Sequence, residues 1–203
     1  MTGENLNALF WLHRSWRAVK QSRYQHGLQE WGPNEPWYGA DKLAPRPYRA
    51  VLARNFIQHV LRPPPEAERI GFKEIRWFDE QDHFGPYLHF IRSFFAPARI
   101  VFNTRDPAEV SRSAWLAQED SAAVIARVRA ADAMMKAYAR ANRSDCIHLH
   151  YNDYNDYVTD PTRLHDLFDF LGTTMPEQRL REILSVRLTH CQVSGETTMA
   201  DPD

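Results

Sequence analysis

Cysteine is nearly absent. The two present, Cys146 and Cys191, are too few for a disulfide framework, so a reducing, cytoplasmic compartment is expected. No apolar run approaches the roughly 18 residues of a membrane span. The opening residues Met1-Thr2-Gly3-Glu4-Asn5 have neither the basic nor the apolar segment of a secretory signal. An excess charge of one sign is also lacking. The 25 Lys/Arg and 26 Asp/Glu leave a formal charge of −1, which excludes a whole-chain basic field and with it the simplest nucleic-acid or anionic-membrane binder. Any anion must then be held by a few placed cations. Long aliphatic runs are scarce as well. Mean hydropathy is −0.57, and Trp, Tyr and Phe carry much of the apolar content. Global disorder is still excluded, because 12% of the 203 residues are aromatic.

What is present reads as alternating helices and short strands. Leu6, Leu9, Phe10, Leu12, His13, Trp16 and Val19 recur at helical spacing over 5–24, with Arg14, Arg17 and Lys20 on the wet side. A Pro/Gly-rich loop follows over 31–47, then a helix over 48–61 that Pro63-Pro64-Pro65 stops. Residues 69–76 read as a strand, 86–96 as a helix, and Arg99-Ile100-Val101-Phe102-Asn103-Thr104 as the clearest strand. Asp106-Pro107-Ala108-Glu109 is a helix start, with Asp at the cap, Pro first and Glu third. An Ala-rich helix over 121–142, a strand over 146–151, a helix opened by Asp160-Pro161 and closed by Gly172, and a last helix after Pro176 complete the order. Strands separated by helices imply βαβ units and a mainly parallel sheet. The pattern predicts one α/β domain over 1–188 and a polar tail over 189–203.

The chemistry concentrates where the strand over 99–104 ends. Ligands of open α/β sheets bind at carboxyl edges, and Arg105 stands there with a planar fork suited to phosphate. Ser113 lies seven residues beyond the Asp106 cap, about two helical turns, so it is expected on the same helix face. An anion along that face takes both. Arg105 merely solvated, and Ser113 as helix filler, is the plainer alternative.

Together these residues resemble the 3′-phosphate-binding segment of sulfotransferases that use 3′-phosphoadenosine 5′-phosphosulfate. Three further stretches are similar to bacterial members, in the same order. They are Gly3-Glu4-Asn5, then Gly71-Phe72-Lys73-Glu74, and then Tyr151-Asn152-Asp153-Tyr154 with Asp160-Pro161 and Phe170-Leu171-Gly172. The resemblance covers about residues 2–172. It implies that Arg105 and Ser113 hold the nucleotide's 3′-phosphate, that Glu4 takes the acceptor's proton, and that Lys73 stands near the sulfuryl oxygens. It implies a P-loop-NTPase-like α/β fold, a parallel sheet flanked by helices. The partners would be the nucleotide co-substrate and a hydroxyl-bearing acceptor. Lys73 and Arg76, three apart on a regular strand, face opposite ways, so only one of them serves the site.

One departure limits this. The family's 5′-phosphosulfate cradle, a strand–loop–helix with an Arg-Ser-Gly-Thr-Thr-like loop, has no counterpart here. The chain is expected to be N-terminally truncated relative to the family and impaired in transfer. Each charge-assisted hydrogen bond contributes about 1.5–3 kcal/mol, so losing three or four costs on the order of 5–10 kcal/mol, or roughly four to seven decades of binding. Two other readings stand beside it. One is a non-catalytic nucleotide-binding remnant. The other is a metal-dependent hydrolase using His148 and His150, two apart on one strand face, with Asp153 and Asp156 close in sequence. The loop with Trp31, Trp37 and Tyr38 either walls an acceptor pocket or pins itself to the domain.

Overall fold

A computed structural model of the chain describes residues 3–76, 81–155 and 161–186. The chain forms two compact units, Met1–Ala98 and Arg99–Asp203. The division falls beside Pro97, in a stretch with none of the composition of a flexible linker.

The first unit is helical. Helix α1 (Ala8–His26) starts where the Asn5 side-chain oxygen accepts from the Ala8 N–H at 3.0 Å. Asn7 occupies the cap position in the left-handed region, with φ 59°. The helix stops at Gly27, where a Cβ would lie 2.6 Å from the Ala40 carbonyl oxygen. Helix α2 (Pro45–Asn55) carries Pro in its first turn. It passes into π-helical turns over Phe56–Leu61, which end at Arg62 before the prolines. Helix α3 (Phe84–Phe94) buries Phe84, Tyr87, Leu88, Phe90 and Ile91. The core is aromatic, as the low aliphatic content predicts. Phe10 meets Tyr87 edge-on at 5.3 Å, and Phe90 stacks on Phe94 at 4.2 Å.

The second unit is built on a parallel strand pair. Strands β1 (Ile100–Thr104) and β2 (Cys146–His150) run in register from Ile100 opposite Cys146 to Thr104 opposite His150. Between them come helix α4 (Pro107–Ser111) and the long helix α5 (Ser121–Ala141), the crossover a parallel pair requires. Val124, Val128, Ala131, Met135 and Ala139 lie on the buried side of α5, at helical spacing. After β2 come α6 (Asn152–Asn155), α7 (Thr162–Leu171) and α8 (Glu177–Ser185). Gly172 ends α7 at φ 64°, the left-handed cap expected of it. Cys146 is buried in β2, as its position in a core strand predicts. Cys191, Asp156, Asp160 and the tail over 189–203 lie outside the described residues.

The fold is α/β, mostly helical, and its described sheet has two strands. The expected strand over 69–76 does not join it. That segment forms no strand of its own, with a single bridge position at Phe72. The reason is local. The Glu74 carboxylate accepts from the backbone N–H of Ile75 at 2.8 Å and of Arg76 at 3.0 Å, taking donors a ladder would need. Among the described residues no helix is long and apolar enough to cross a membrane.

Candidate functional site

In the first unit the structure brings together two residues that sequence reasoning assigned separately. Lys73 Nζ donates to Glu4 Oε1 at 2.9 Å, across 69 positions of sequence. Both side chains remain open to solvent, at 58% for Lys73 and 36% for Glu4. Neither group has to be dragged out of a core to react.

The support beneath this pair is Glu74, which sequence reasoning passed over. Its side chain is 1% exposed. Oε2 accepts from the Asn7 N–H at 2.8 Å, and Oε1 accepts from Arg76 Nη1 at 3.1 Å as well as from the two backbone donors. Buried charge is tolerated only when it is paired and hydrogen-bonded, and Glu74 meets both conditions. It ties the turn holding Glu4, where Leu6 and Asn7 both take positive φ, to the segment holding Lys73. Arg76 turns to Glu74 while Lys73 turns to Glu4; the alternation of a regular strand is not the cause, since this segment forms none. A signal for Glu74 existed in the sequence: an acid flanked by Phe72 and Ile75 in a run that otherwise reads as core.

His13 lies beneath the first turns of α1, 1% exposed, against Phe90 at 5.0 Å and Tyr87 at 5.5 Å. Its pKa is pushed down to about 4, first by burial and then by the charges of Arg17, His83 and Arg14. The ring is a neutral core histidine near neutral pH.

In the second unit Arg105 stands at the carboxyl edge of β1, directly before the capped helix. Asp106 Oδ1 accepts from the Ala108 and Glu109 N–H groups at 2.9 and 3.0 Å, the cap its sequence announces. The Arg105 guanidinium is part-exposed. Its Nε donates to Glu109 Oε2 at 2.7 Å, and its Cζ lies 4.8 Å from the centre of the Tyr151 ring. Glu109 engages Nε, which leaves the two Nη groups as the fork an anion could meet.

Ser113 departs from expectation. Helix α4 ends at Ser111, so Ser113 is not two turns along the helix face that starts at Asp106. The Ser111 and Ser113 hydroxyls donate to the carbonyls of Ala108 and Val110, at 3.0 and 2.8 Å. Such back-bonding competes with helix propagation. Ser113 instead precedes the 3₁₀ turn over Ala114–Gln118. No hydrogen bond among the described residues joins it to Arg105.

The two histidines of β2 are engaged by neighbours. His148 Nε2 is 2.9 Å from Thr104 Oγ1, and His150 Nδ1 accepts from the Asn152 N–H at 3.3 Å. Burial leads in pushing the His148 pKa down. Among the described residues no group of three His, Cys, Asp or Glu could hold a metal ion. Asp153 organises the turn after β2, its Oδ2 accepting from the His150 N–H at 2.7 Å. The Trp31–Tyr38 loop is pinned to the end of α1. Trp31 Nε1 donates to the His26 carbonyl at 2.6 Å, and Trp37 stacks on the His26 ring at 3.6 Å.

The chain matches no family model, no curated protein and no solved structure. Its chemistry is therefore argued from its own residues: a solvent-accessible carboxylate–ammonium pair on a buried carboxylate anchor, and a guanidinium at a strand's carboxyl edge.

Proposed function

We propose that this chain belongs to a nucleotide-dependent sulfotransferase system, in which a sulfuryl group passes from 3′-phosphoadenosine 5′-phosphosulfate to an acceptor hydroxyl. The observation that carries the reading is the Lys73–Glu4 contact at 2.9 Å. The resemblance assigns these two residues, from segments far apart in sequence, to the cation and the base of one transfer step. A chance pairing of two surface residues has no reason to select that couple.

The proposed step balances as follows. The acceptor hydroxyl gives its proton to the Glu4 carboxylate as its oxygen forms a bond to sulfur. The bond from sulfur to the bridging phosphate oxygen breaks, and the electron pair leaves with adenosine 3′,5′-bisphosphate. Lys73 is drawn from Glu4 to the sulfuryl oxygens, which frees the carboxylate to act as base. The resemblance assigns the 3′-phosphate to Arg105 of the second unit, whose Nη groups offer the fork. Ser113, turned toward Val110, joins only if its hydroxyl rotates away from that carbonyl.

Two measurements test the parts separately. Titration calorimetry with 3′,5′-adenosine bisphosphate should give binding that Arg105→Ala weakens roughly ten- to hundredfold, as expected for lost charge-assisted hydrogen bonds. Transfer of labelled sulfate to a hydroxyl acceptor, expected to be slow in this chain for want of the 5′-phosphosulfate loop, should vanish in Glu4→Gln while nucleotide binding is kept. An absence of nucleotide binding refutes the reading. Binding with no transfer to any hydroxyl acceptor leaves the nucleotide-binding remnant in its place.

A further inference from the structure

The near-zero net charge conceals an uneven distribution. Helix α1 carries Arg14, Arg17, Lys20 and Arg23, and α2 carries Arg46, Arg49 and Arg54, yet neither helix contains an Asp or a Glu. The two helices pack together, joined by a Ser15–Tyr48 hydroxyl contact at 2.6 Å. None of the seven cations forms an ion pair with a described carboxylate. In the second unit, by contrast, Arg105, Arg127, Arg163, Arg179 and Arg181 each have an acid within 3.1 Å.

The arrangement is specific. Lys20 Nζ and Arg49 Cζ lie 5.2 and 5.7 Å from the centre of the same Trp16 ring, with no acid between them. Arg14, Arg17 and Lys20 are exposed along α1, and Trp11 and Tyr24 expose their rings from the same helix. The positive field is felt inside the unit, where Arg17 and Arg14 help hold the buried His13 neutral. Like charges held together without counterions favour an anionic partner.

We propose that the exposed cations of α1 and α2 bind the acceptor of the reaction proposed above, and that this acceptor is a uronate-bearing oligosaccharide. The inference rests on that reading for the word acceptor. It rests on the charge distribution for the word anionic. The Glu4–Lys73 pair lies just before the first turn of α1, so an acceptor hydroxyl there leaves the rest of the molecule free to run along the basic helix. Carboxylates suit the Arg forks, and exposed Trp11 and Tyr24 offer flat faces for sugar rings. A membrane surface fits poorly, because Gln21 and Gln25 lie exposed on α1 where an interfacial helix needs an apolar stripe. Single-stranded nucleic acid fits poorly too. Trp11 and Tyr24 are thirteen residues apart, about 20 Å along the helix, not the close platform that successive stacked bases need.

The test is calorimetric titration of the full chain with a short oligogalacturonate, with a neutral maltooligosaccharide of equal length, and with a single-stranded oligonucleotide. The oligogalacturonate should bind, and added salt should weaken it. The neutral sugar should not bind. Arg14→Gln/Arg17→Gln/Lys20→Gln should weaken oligogalacturonate binding by about tenfold or more. Arg179→Gln/Arg181→Gln, in the self-neutralised helix α8, should leave it unchanged. Circular dichroism checks that both variants fold. Failure of oligogalacturonate to bind, equal affinity of the triple variant, or tighter binding of the oligonucleotide through the same residues overturns the proposal. Oligogalacturonate binding without 3′,5′-adenosine bisphosphate binding refutes the sulfotransferase reading and leaves the basic, anion-binding surface standing. The reverse result overturns the surface alone.

Discussion

Replacing Glu74 should unfold the first unit more readily than any surface change in it. The donors to the carboxylate include the N–H groups of Asn7, Ile75 and Arg76, and Arg76 Nη1. In Glu74→Ala the Arg76 guanidinium, 24% exposed, can turn to water, whereas the Asn7 residue is 7% exposed and its N–H is left without an acceptor. Each buried donor orphaned costs about 1–3 kcal/mol, and breaking a buried charged network typically costs 3–5 kcal/mol. Glu74→Ala should therefore lose about 3–5 kcal/mol. Glu74→Gln is the sharper probe, because it keeps the volume. One of its two terminal atoms must be an NH₂ facing either the Asn7 N–H or the Ile75 and Arg76 N–H groups, so a loss of about 1.5–3 kcal/mol is expected. Urea unfolding followed by tryptophan fluorescence reads chiefly this unit, since five of the six tryptophans, Trp11, Trp16, Trp31, Trp37 and Trp77, precede residue 99 and Trp115 alone follows it. A second readout is carbodiimide coupling, which should link Lys73 to Glu4 in the parent chain and lose that link in Glu74→Gln. A Glu74→Gln chain within about 0.5 kcal/mol of the parent, the range of an ordinary surface change, with the link intact, would refute the anchoring role.

His13 has a folded pKa of about 4 against 6.5 for the free group. Between those values the unfolded chain binds more protons, so stability rises with pH across that window and is lost as pH falls through it, by on the order of 3 kcal/mol. His13→Phe should flatten the dependence of the urea midpoint on pH from 7 to 4.5. An unchanged slope would place the sensitivity elsewhere. Asp106→Ala removes the acceptor for Ala108 and Glu109, and should cost about 0.5–2 kcal/mol, seen as faster hydrogen exchange at those two amides. Gly172→Ala meets no atom within 4 Å but sits at φ 64°, so a loss of roughly 1 kcal/mol from backbone strain alone is expected in thermal unfolding.

Local signals were legible in the sequence because their physics is local. The Asp106-Pro107 cap, the β-branched run before it, the Ala-rich α5 and the Gly172 stop each depend on neighbours a few residues away. Ser113 was misplaced because a spacing argument assumes an unbroken helix. Serine hydroxyls at 111 and 113 bonding to carbonyls three residues back accompany the helix's end before that spacing can apply. Residues 69–76 depart from their strand pattern for a related reason. Alternation of Ile70, Phe72 and Ile75 satisfies a strand pattern, but the pattern takes no account of an acid that bonds to the backbone on its own C-terminal side.

What no local pattern carries is which distant segments meet. Glu4 and Lys73 are 69 positions apart, and Asn7 and Glu74 are 67 apart. Composition hid both facts, since one acid and one base among 51 charged residues are unremarkable. Charge arithmetic likewise hid the basic helices, because a total of −1 is the same whether cations are paired one by one or gathered on α1 and α2. The useful quantity is the pairing of each cation, which only coordinates supply. Pairing separates α1 and α2, none of whose seven cations meets a described carboxylate, from helix α8, whose two arginines are spent on its own acids. If that difference has no functional meaning, exchanging Arg14, Arg17 and Lys20 for glutamine should change nothing but solubility.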